Sequence, residues 1–188
     1  MKKKIVILAS GGGTNAENIV QYFQSSQEIE VVSVLSNKRN AGVFDRVESL
    51  GVPAIYFNRS ALSSGFLTDY LKTIQPDLIV LAGYLKKIPG ELISLFPDKI
   101  INIHPALLPK YGGKGMYGMH VHQAVKEAKE HESGITIHYV NAQYDEGAII
   151  FQANTPIDVT DTAEDIAQKI HLLEQEHFPK VIAQLLHE

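Results

Sequence analysis

Short apolar runs alternate with amphipathic segments along the first half of the chain, and this alternation restricts the fold more than any other feature. The apolar runs predict strands at 4–9, 31–36, 54–57, 77–83 and 100–104. The segments between them have helical length and periodicity, at 15–25, 41–50, 64–74 and 88–96. Strands with few polar interruptions, each followed by a helix, are typical of a parallel sheet covered on both faces. The pattern predicts a doubly wound α/β fold.

Two further apolar runs, at 134–140 and 148–157, are separated by a short turn and predict an antiparallel pair. The predicted fold class is therefore a mostly parallel sheet of about seven strands with helices on both faces, Rossmann-like in its N-terminal part. The segment 161–186 opens with an Asp/Thr cap and an acidic first turn, which predicts a long helix. Pro179 is expected to kink this helix or break it in two. No repeat or linker divides the sequence, so we expect one domain over residues 1–188.

The composition excludes several classes of function. The formal net charge is −4, so nothing favours a nucleic acid or an anionic membrane as a partner. The chain has no cysteine, which excludes disulfides, thiolate catalysis and cysteine-based zinc sites. No apolar run approaches the ~20 residues that span a bilayer, and no signal-peptide pattern surrounds the first strand. We therefore expect a cytoplasmic protein with neither a nucleic-acid nor a membrane partner.

A glycine-rich sequence, ASGGGTN, joins the first predicted strand to the first predicted helix. Glycines let the backbone approach a ligand closely, and the N–H groups of Gly13, Thr14 and Asn15 would point at an anion at the helix N-terminus. The sequence is neither a Walker loop nor a complete dinucleotide fingerprint. It favours a phosphomonoester site, and a tight turn with a Thr or Asn cap is the alternative.

Asn102 and His104 stand two residues apart at the end of the fifth predicted strand. Side chains alternate along a strand, so both project to one side, at the edge where doubly wound sheets bind ligands. An amide and an imidazolium suit attack on a carbonyl, because both can stabilise the developing oxyanion. Such an imidazole needs a carboxylate partner, for which Asp145 is the leading candidate and Glu146 the alternative. Without a serine or cysteine in the group, direct transfer to a bound nucleophile is favoured over an acyl-enzyme.

The other histidines do not indicate a site. A lone histidine near a strand end is usually a structural residue, and this interpretation stays open for His104. His120 and His122 form an H-x-H pair, but they lack nearby ligand partners, so no metal site is predicted. The glycine-rich stretch 112–115 is expected to form a lid. The remaining histidines have no comparable setting: His131, His138, His171, His177 and His187.

Four segments occur in the order expected of one enzyme family. They are ASGGGTN near the N-terminus, LAGYLKKI at 81–88, NIHPALLPKY at 102–111 and YDEGAIIFQ at 144–152. Over essentially its whole length the sequence resembles the phosphoribosylglycinamide formyltransferases, the folate-dependent transferases of de novo purine biosynthesis. The resemblance implies the formyltransferase fold and transfer of the formyl group of 10-formyltetrahydrofolate to the amino group of glycinamide ribonucleotide.

The resemblance also implies roles for individual residues. Asn102 and His104 match the catalytic amide and proton donor, and Asp145 matches the carboxylate that raises the pKa of the histidine. The implied ribonucleotide contacts are Gly13, Thr14 and Asn15 at the phosphate and Glu174 at the ribose. The implied folate contacts are Leu85, Lys86, Lys87, Ile88, Asn102 and Arg59. No metal is implied, and the expected state is a monomer or a homodimer.

The sequence departs from the family pattern at the loop 112–119, which is a few residues longer than in many members and leaves the lid contacts open. The basic residue that contacts the folate glutamate tail is also open, with Arg59 expected and Lys86 or Lys87 as alternatives. Three alternative functions would each require different features in the sequence. A formyltetrahydrofolate hydrolase would be expected to carry a preceding regulatory domain, and a methionyl-tRNA formyltransferase a C-terminal domain and a more basic surface. A non-catalytic phosphometabolite-binding module would have no need of Asn102, His104 and Asp145 together.

Overall fold

The structure of the protein is a computed structural model that describes residues 1–187. Seven strands form one sheet in the order β3-β2-β1-β4-β5-β6-β7. The strands are β1 (Lys3–Ala9), β2 (Ile29–Ser36), β3 (Ala54–Tyr56), β4 (Leu78–Leu81), β5 (Ile100–His104), β6 (Glu132–Tyr139) and β7 (Ile149–Pro156). The first five strands pair in parallel, and β6 pairs antiparallel with both β5 and β7. The predicted mostly parallel sheet and its antiparallel last pair are confirmed.

Seven helices connect or follow the strands. They are α1 (Thr14–Phe23), α2 (Val43–Glu48), α3 (Arg59–Ser63), α4 (Phe66–Ile74), α5 (Gly90–Leu95), α6 (Met119–Glu127) and α7 (Ala163–His187). Five-residue α3 was not predicted, because it is too short to show helical periodicity. Asn58 caps it, with its side-chain oxygen accepting from the backbone N–H of Ala61 at 2.7 Å.

The prediction that Pro179 could break the last helix in two is wrong, because α7 runs through it as one element. A proline inside a helix costs about 3 kcal/mol. Phe178, Val181 and Ile182 around it are buried in the core. Burial of such side chains contributes about 1.5–3 kcal/mol each, so packing outweighs the local cost of the proline.

The sheet buries both faces, as the uninterrupted apolar strands predict. Along β1, Ile5 and Ile7 pack into a core shared with α1, α2, α6 and α7, whereas Val6 and Leu8 pack into a second core shared with α4 and α5. Helices therefore cover both faces, and the doubly wound fold is confirmed. Within residues 1–187, no helix combines the length and apolar character that crossing a membrane requires.

The strand order reverses between β1 and β4, because the chain builds outward to β3 on one side and to β7 on the other. Ligands in open α/β sheets bind beyond the carboxyl ends of the strands at such a switch point. Two hydrogen bonds hold this point together. The N–H of Ser10 donates to the carbonyl of Gly83 at 3.0 Å, and the N–H of Leu85 donates to the Ser10 hydroxyl at 3.0 Å.

Candidate active site

A cavity of about 490 Å³ opens at the switch point. The loop between β1 and α1 forms one wall, and the ends of β4 and β5 form its floor. The loop 113–118 and one side of α7 close the remaining walls. Asn102, His104, Asp145 and Glu174 all line this cavity, together with the glycine-rich loop. The structure thus brings the predicted transfer residues and the predicted anion loop to one space.

His104 is buried, and a backbone carbonyl fixes its proton arrangement. Its Nε2 lies 2.7 Å from the carbonyl oxygen of Tyr111. Because a carbonyl only accepts hydrogen bonds, Nε2 carries a proton and donates it there. Nδ1 is then the ring position that gains or loses a proton, and it lies 3.6 Å from Oδ2 of Asp145. The second nitrogen of His104 therefore faces the predicted carboxylate partner.

Burial lowers the pKa of His104 below its ordinary value of 6.5, and the nearby Asp145 carboxylate and the Tyr111 carbonyl offset only part of this effect. Asp145 thus acts in the predicted direction, raising the pKa of the histidine, but burial outweighs it. A bound anion at the imidazole would add to the effect of Asp145.

Asp145 sits in a strained turn that aims its carboxylate inward. Its φ of 57° lies in the left-handed region, which a non-glycine residue adopts at some cost. The N–H of Gly113 donates to its Oδ2 at 2.9 Å. Burial alone would raise the pKa of Asp145, but the rings of His138 and His104 and the Gly113 N–H together hold it below its ordinary value. Asp145 is therefore ionised beside His104. Its neighbour Glu146 does not line the cavity.

His138 is a member of this group that the sequence did not indicate. It is buried and lies directly across the antiparallel ladder from Asn102. Its Nδ1 lies 2.8 Å from the carbonyl of Tyr139, so Nδ1 donates there, and in that tautomer Nε2 can accept. The same Nε2 lies 3.7 Å from Oδ1 of Asp145. The amide nitrogen of Asn102 lies 3.1 Å from that Nε2 and donates to it. His138 therefore fixes which way the Asn102 amide faces.

The turn that carries Tyr111 is fastened to the sheet by Thr136, the residue opposite His104 on β6. The buried Thr136 hydroxyl donates to the carbonyl of Ala106 at 2.7 Å and accepts from the N–H of Leu108 at 3.0 Å. Gln152 on β7 adds hydrogen bonds to the Thr136 hydroxyl at 2.8 Å and to the Leu108 carbonyl at 3.1 Å. These bonds hold the turn whose Tyr111 carbonyl accepts the hydrogen bond from His104.

The glycine-rich loop presents an open helix N-terminus to the cavity. Gly13 is the N-cap of α1, with a left-handed φ of 82° and no side-chain cap. A Cβ at Gly13 would lie 2.5 Å from the side chain of Val43, so only glycine fits there. The alternative of a Thr or Asn cap is therefore wrong. The first backbone N–H groups of α1, from Thr14 onward, have no acceptor within the helix and are free for an anion.

Glu174 on α7 reaches across to this loop. Its Oε2 accepts from the side-chain amide of Asn15 at 2.9 Å and lies 3.5 Å from Nδ1 of His171. A hydrogen bond with Glu174 raises the pKa of His171. The buried Oδ1 of Asn15 has no hydrogen-bond partner within residues 1–187. It leaves an acceptor for a ligand hydroxyl beside the carboxylate.

The H-x-H pair is divided between two environments. His122 is buried at the cavity wall, and its Nδ1 has no partner within the described part of the chain. Burial lowers the pKa of His122. His120 is exposed, with its ring against that of Tyr117 at a centroid distance of 5.4 Å. Residues 1–187 contain no group of three His, Asp or Glu placed to hold a metal ion.

Comparison with known proteins places this chain in one family. Residues 3–182 match the family described as "Formyl transferase". The chain belongs to the formyl transferase family. It is 41% identical over 183 residues to the chloroplastic phosphoribosylglycinamide formyltransferase of Arabidopsis thaliana, matching 94% of this chain and 62% of that protein. It is 38% identical to the phosphoribosylglycinamide formyltransferase of Haemophilus influenzae, matching 96% of this chain and 85% of that protein.

Solved structures of this formyl transferase family share the fold. A glycinamide ribonucleotide transformylase from Symbiobacterium toebii superposes with a TM-score of 0.91 at 31% identity, covering 99% of this chain and 88% of that one. A glycinamide ribonucleotide transformylase from Geobacillus kaustophilus gives 0.88 at 34% identity, covering 99% and 100%. The chain spans about 62% of the length of the two chloroplastic relatives that it matches.

The predicted folate contacts lie in three places. A smaller cavity of about 70 Å³ adjoins the main one, and Lys86, Lys87 and Ile88 line it beside Asn102. Leu85 lines the main cavity. Arg59, the first residue of α3, is exposed and lines neither cavity. The structure therefore does not bring Arg59 together with the other predicted folate residues.

Proposed function

We propose that the protein transfers the formyl group of 10-formyltetrahydrofolate to the amino group of glycinamide ribonucleotide. The observation that carries this proposal is the shared cavity, with an open helix N-terminus at one wall and the Asn102–His104–Asp145 group at another. Family membership and relatives named phosphoribosylglycinamide formyltransferase support it. The residues would bind both reactants within one pocket, as direct transfer requires.

The ribonucleotide would lie along the wall formed by α1 and α7. Its phosphate would accept hydrogen bonds from the N–H groups of Gly13, Thr14 and Asn15, where the helix dipole favours negative charge. Its ribose hydroxyls would donate to Glu174. This placement directs the amino group toward Asn102 and His104 at the far end of the cavity.

The formyl donor would enter from the smaller cavity. Buried Leu81 and Ile88 offer an apolar surface to a pterin ring, and the segment 85–88 offers backbone groups for its polar edge. Lys86 and Lys87 line this cavity and could meet the carboxylates of the glutamate tail. The residues present therefore fit the group, and Lys86 or Lys87 fits the tail better than Arg59.

Attack of the amine forms a carbon–nitrogen bond at the formyl carbon and places negative charge on the formyl oxygen. Asn102 and protonated Nδ1 of His104 would donate hydrogen bonds to that oxygen, and Asp145 would stabilise the charged imidazole. Breaking the original carbon–nitrogen bond then releases the folate. The amine loses one proton and the folate nitrogen gains one, so the imidazole ends as it began.

A single assay tests the proposal. Purified protein with 10-formyltetrahydrofolate is expected to turn over only when glycinamide ribonucleotide is added, and His104→Ala serves as the inactive control. Release of formate without the ribonucleotide would instead support the hydrolase. Binding of the ribonucleotide with no turnover in either mixture would support the binding module.

Three broader expectations remain predictions. The single domain over residues 1–188, the state of monomer or homodimer and the cytoplasmic location are consistent with the composition. Two of the relatives carry "chloroplastic" in their names, so the location needs its own test. Fractionation of the source cells with an antibody against the protein would provide it.

A further inference from the structure

We propose that Lys114, on the loop 112–118 between β5 and α6, binds the phosphate group of the ribonucleotide and selects for a phosphorylated substrate. The inference rests on the proposed function for the identity of that substrate. It assigns a binding residue and a selectivity to a loop that the sequence indicated only as a lid. Four observations support it: the charges of the cavity, the unpaired ammonium, the glycines around it and the anchoring of the loop.

The cavity has a shortage of positive charge. Within residues 1–187, Lys114 is the only lysine or arginine that lines it, whereas Asp145 and Glu174 contribute two carboxylates. A phosphomonoester carries about −1.5 to −2 charges at neutral pH. The N-terminus of α1 offers only about half a positive charge in return. A phosphate bound at Gly13 therefore needs a further cation. His171 also lines the cavity and has a raised pKa, but it is paired with Glu174, so Lys114 is the unpaired cation among the lining residues.

The Lys114 ammonium has no competing partner. It makes no hydrogen bond and no ion pair with any of the residues 1–187, although Lys110 on the same turn is paired with Glu130 at 2.8 Å. The Lys114 side chain is exposed while the residue still lines the cavity. An unpaired cation at the mouth of an acidic cavity is available to an entering anion.

The backbone around Lys114 is suited to turning the lysine over the cavity. Gly113 and Gly115 flank it with φ values of 93° and 95°, in the left-handed region that glycine adopts without strain. A Cβ at either position would meet no atom within 4 Å. Glycine is therefore favoured at these positions by the backbone conformation and not by a shortage of space. The N–H of Met116 donates to the carbonyl of Gly113 at 3.1 Å, so Lys114 stands within a tight turn of this loop.

The loop is anchored to the proposed transfer group on the side nearest Lys114. The N–H of Gly113 donates to Asp145 at 2.9 Å, and a Cβ at Gly112 would lie 2.6 Å from the Leu108 side chain. The base of the loop is therefore held beside the carboxylate that faces His104, one residue from Lys114.

The test compares two variants and two substrates. Lys114→Met removes the charge and keeps most of the side-chain length, and Lys114→Arg keeps the charge. Steady-state rates are measured with glycinamide ribonucleotide and with its phosphate-free riboside. Lys99→Met is the matched control, because Lys99 is exposed and precedes β5 at the opposite edge of the sheet.

Lys114→Met is expected to raise the KM for the ribonucleotide by roughly 10- to 100-fold, the range of a charged hydrogen bond. Lys114→Arg should retain most of the affinity, and Lys99→Met should behave as wild type. The riboside should be used equally well by wild type and Lys114→Met. Equal losses with both substrates would contradict phosphate recognition, and so would an increase in the KM for the folate alone.

A binding measurement separates this inference from the proposed reaction. Calorimetric titration with ribose 5-phosphate needs no turnover, and Lys114→Met should weaken that binding to the same extent as the KM effect. If wild type binds ribose 5-phosphate through Lys114 but transfers no formyl group, the proposed reaction fails and the phosphate site stands. If Lys114→Met binds ribose 5-phosphate as tightly as wild type, the inference is overturned whatever the reaction.

Discussion

Two backbone carbonyls decide which nitrogen of each buried histidine beside Asp145 is free. The Tyr111 carbonyl accepts a hydrogen bond from Nε2–H of His104 and leaves Nδ1 facing the carboxylate, whereas the Tyr139 carbonyl accepts from Nδ1–H of His138 and leaves Nε2 as an acceptor. The first arrangement suits a proton donor, and the second suits a positioning residue. At the scale of single residues, the two rings therefore have different predicted roles although both lie near one aspartate.

Asp145→Asn keeps the shape of the side chain and removes its charge. Burial already lowers the pKa of His104, and losing the opposing effect of Asp145 should lower it further. Because the proposed reaction uses protonated His104, activity should fall, and the decline of kcat/KM with rising pH should move to lower pH. Rate profiles of wild type and variant test this, with Glu146→Gln as the matched control. A profile that keeps its position would refute the role of Asp145 as the pKa partner.

His138→Leu removes the acceptor that holds the Asn102 amide, so that amide should turn freely or face the wrong way. We expect kcat to fall by about 10-fold, the worth of one hydrogen bond in the transition state, with little change in either KM. His138→Gln offers a carbonyl oxygen to the same amide and should recover part of the loss. If both variants lose activity to the same degree, or if the loss lies in KM, His138 does not act by orienting Asn102.

At the scale of elements, the antiparallel strands β6 and β7 support the turn that follows β5. Thr136 and Gln152 hold Ala106 and Leu108 by three hydrogen bonds, and a fourth joins Gln152 to Thr136. The same turn places the Tyr111 carbonyl against His104. The change of strand direction at β6 therefore contributes to the site as well as to the sheet.

Thr136→Val replaces the buried hydroxyl by a methyl group of similar size. It leaves the Leu108 N–H without its acceptor and should lower the free energy of unfolding by about 1–3 kcal/mol. The looser turn should also lower kcat more than KM, because His104 loses a fixed orientation. Chemical denaturation and steady-state kinetics measure the two effects. Thr136→Ser keeps the hydroxyl and serves as the control. If it loses as much stability and kcat as Thr136→Val, the effect comes from packing and not from the hydroxyl.

The sequence predicted those elements whose cause is local. Apolar runs predicted the strands, and alternation along β5 predicted that Asn102 and His104 share a side. His138 was missed because its meaning depends on the register between β5 and β6, which pairs it with Asn102. The long helix α7 was predicted, but the break offered at Pro179 was wrong, because burial around this residue is a tertiary effect. Lys114 was passed over for the same kind of reason, since a cavity's charge balance exists only after folding.

At the scale of the whole molecule, the histidines of the site make the free energy of unfolding depend on pH. Burial lowers the pKa of His104 and of His122, while a hydrogen bond with Glu174 raises the pKa of His171. A histidine with a lowered pKa in the folded state contributes stability above its ordinary pKa of 6.5 and loses it as the pH falls. His171 has the opposite sign, but its side chain is 37% exposed, so solvent screens its contribution.

The two buried histidines should therefore dominate, and the thermal midpoint should fall as the pH decreases from 8 through 6.5 toward 5. Asp145 does not contribute in this window, because its lowered pKa confines its own loss of stability to more acidic solution. Calorimetry from pH 8 to pH 5 tests whether the thermal midpoint falls. His122→Gln removes the contribution of His122 and leaves His104 in place. That variant removes a group that must take up a proton on unfolding, so its midpoint should fall less steeply with decreasing pH than that of wild type. A midpoint that rises toward pH 5 in wild type would show that His171 outweighs both buried rings.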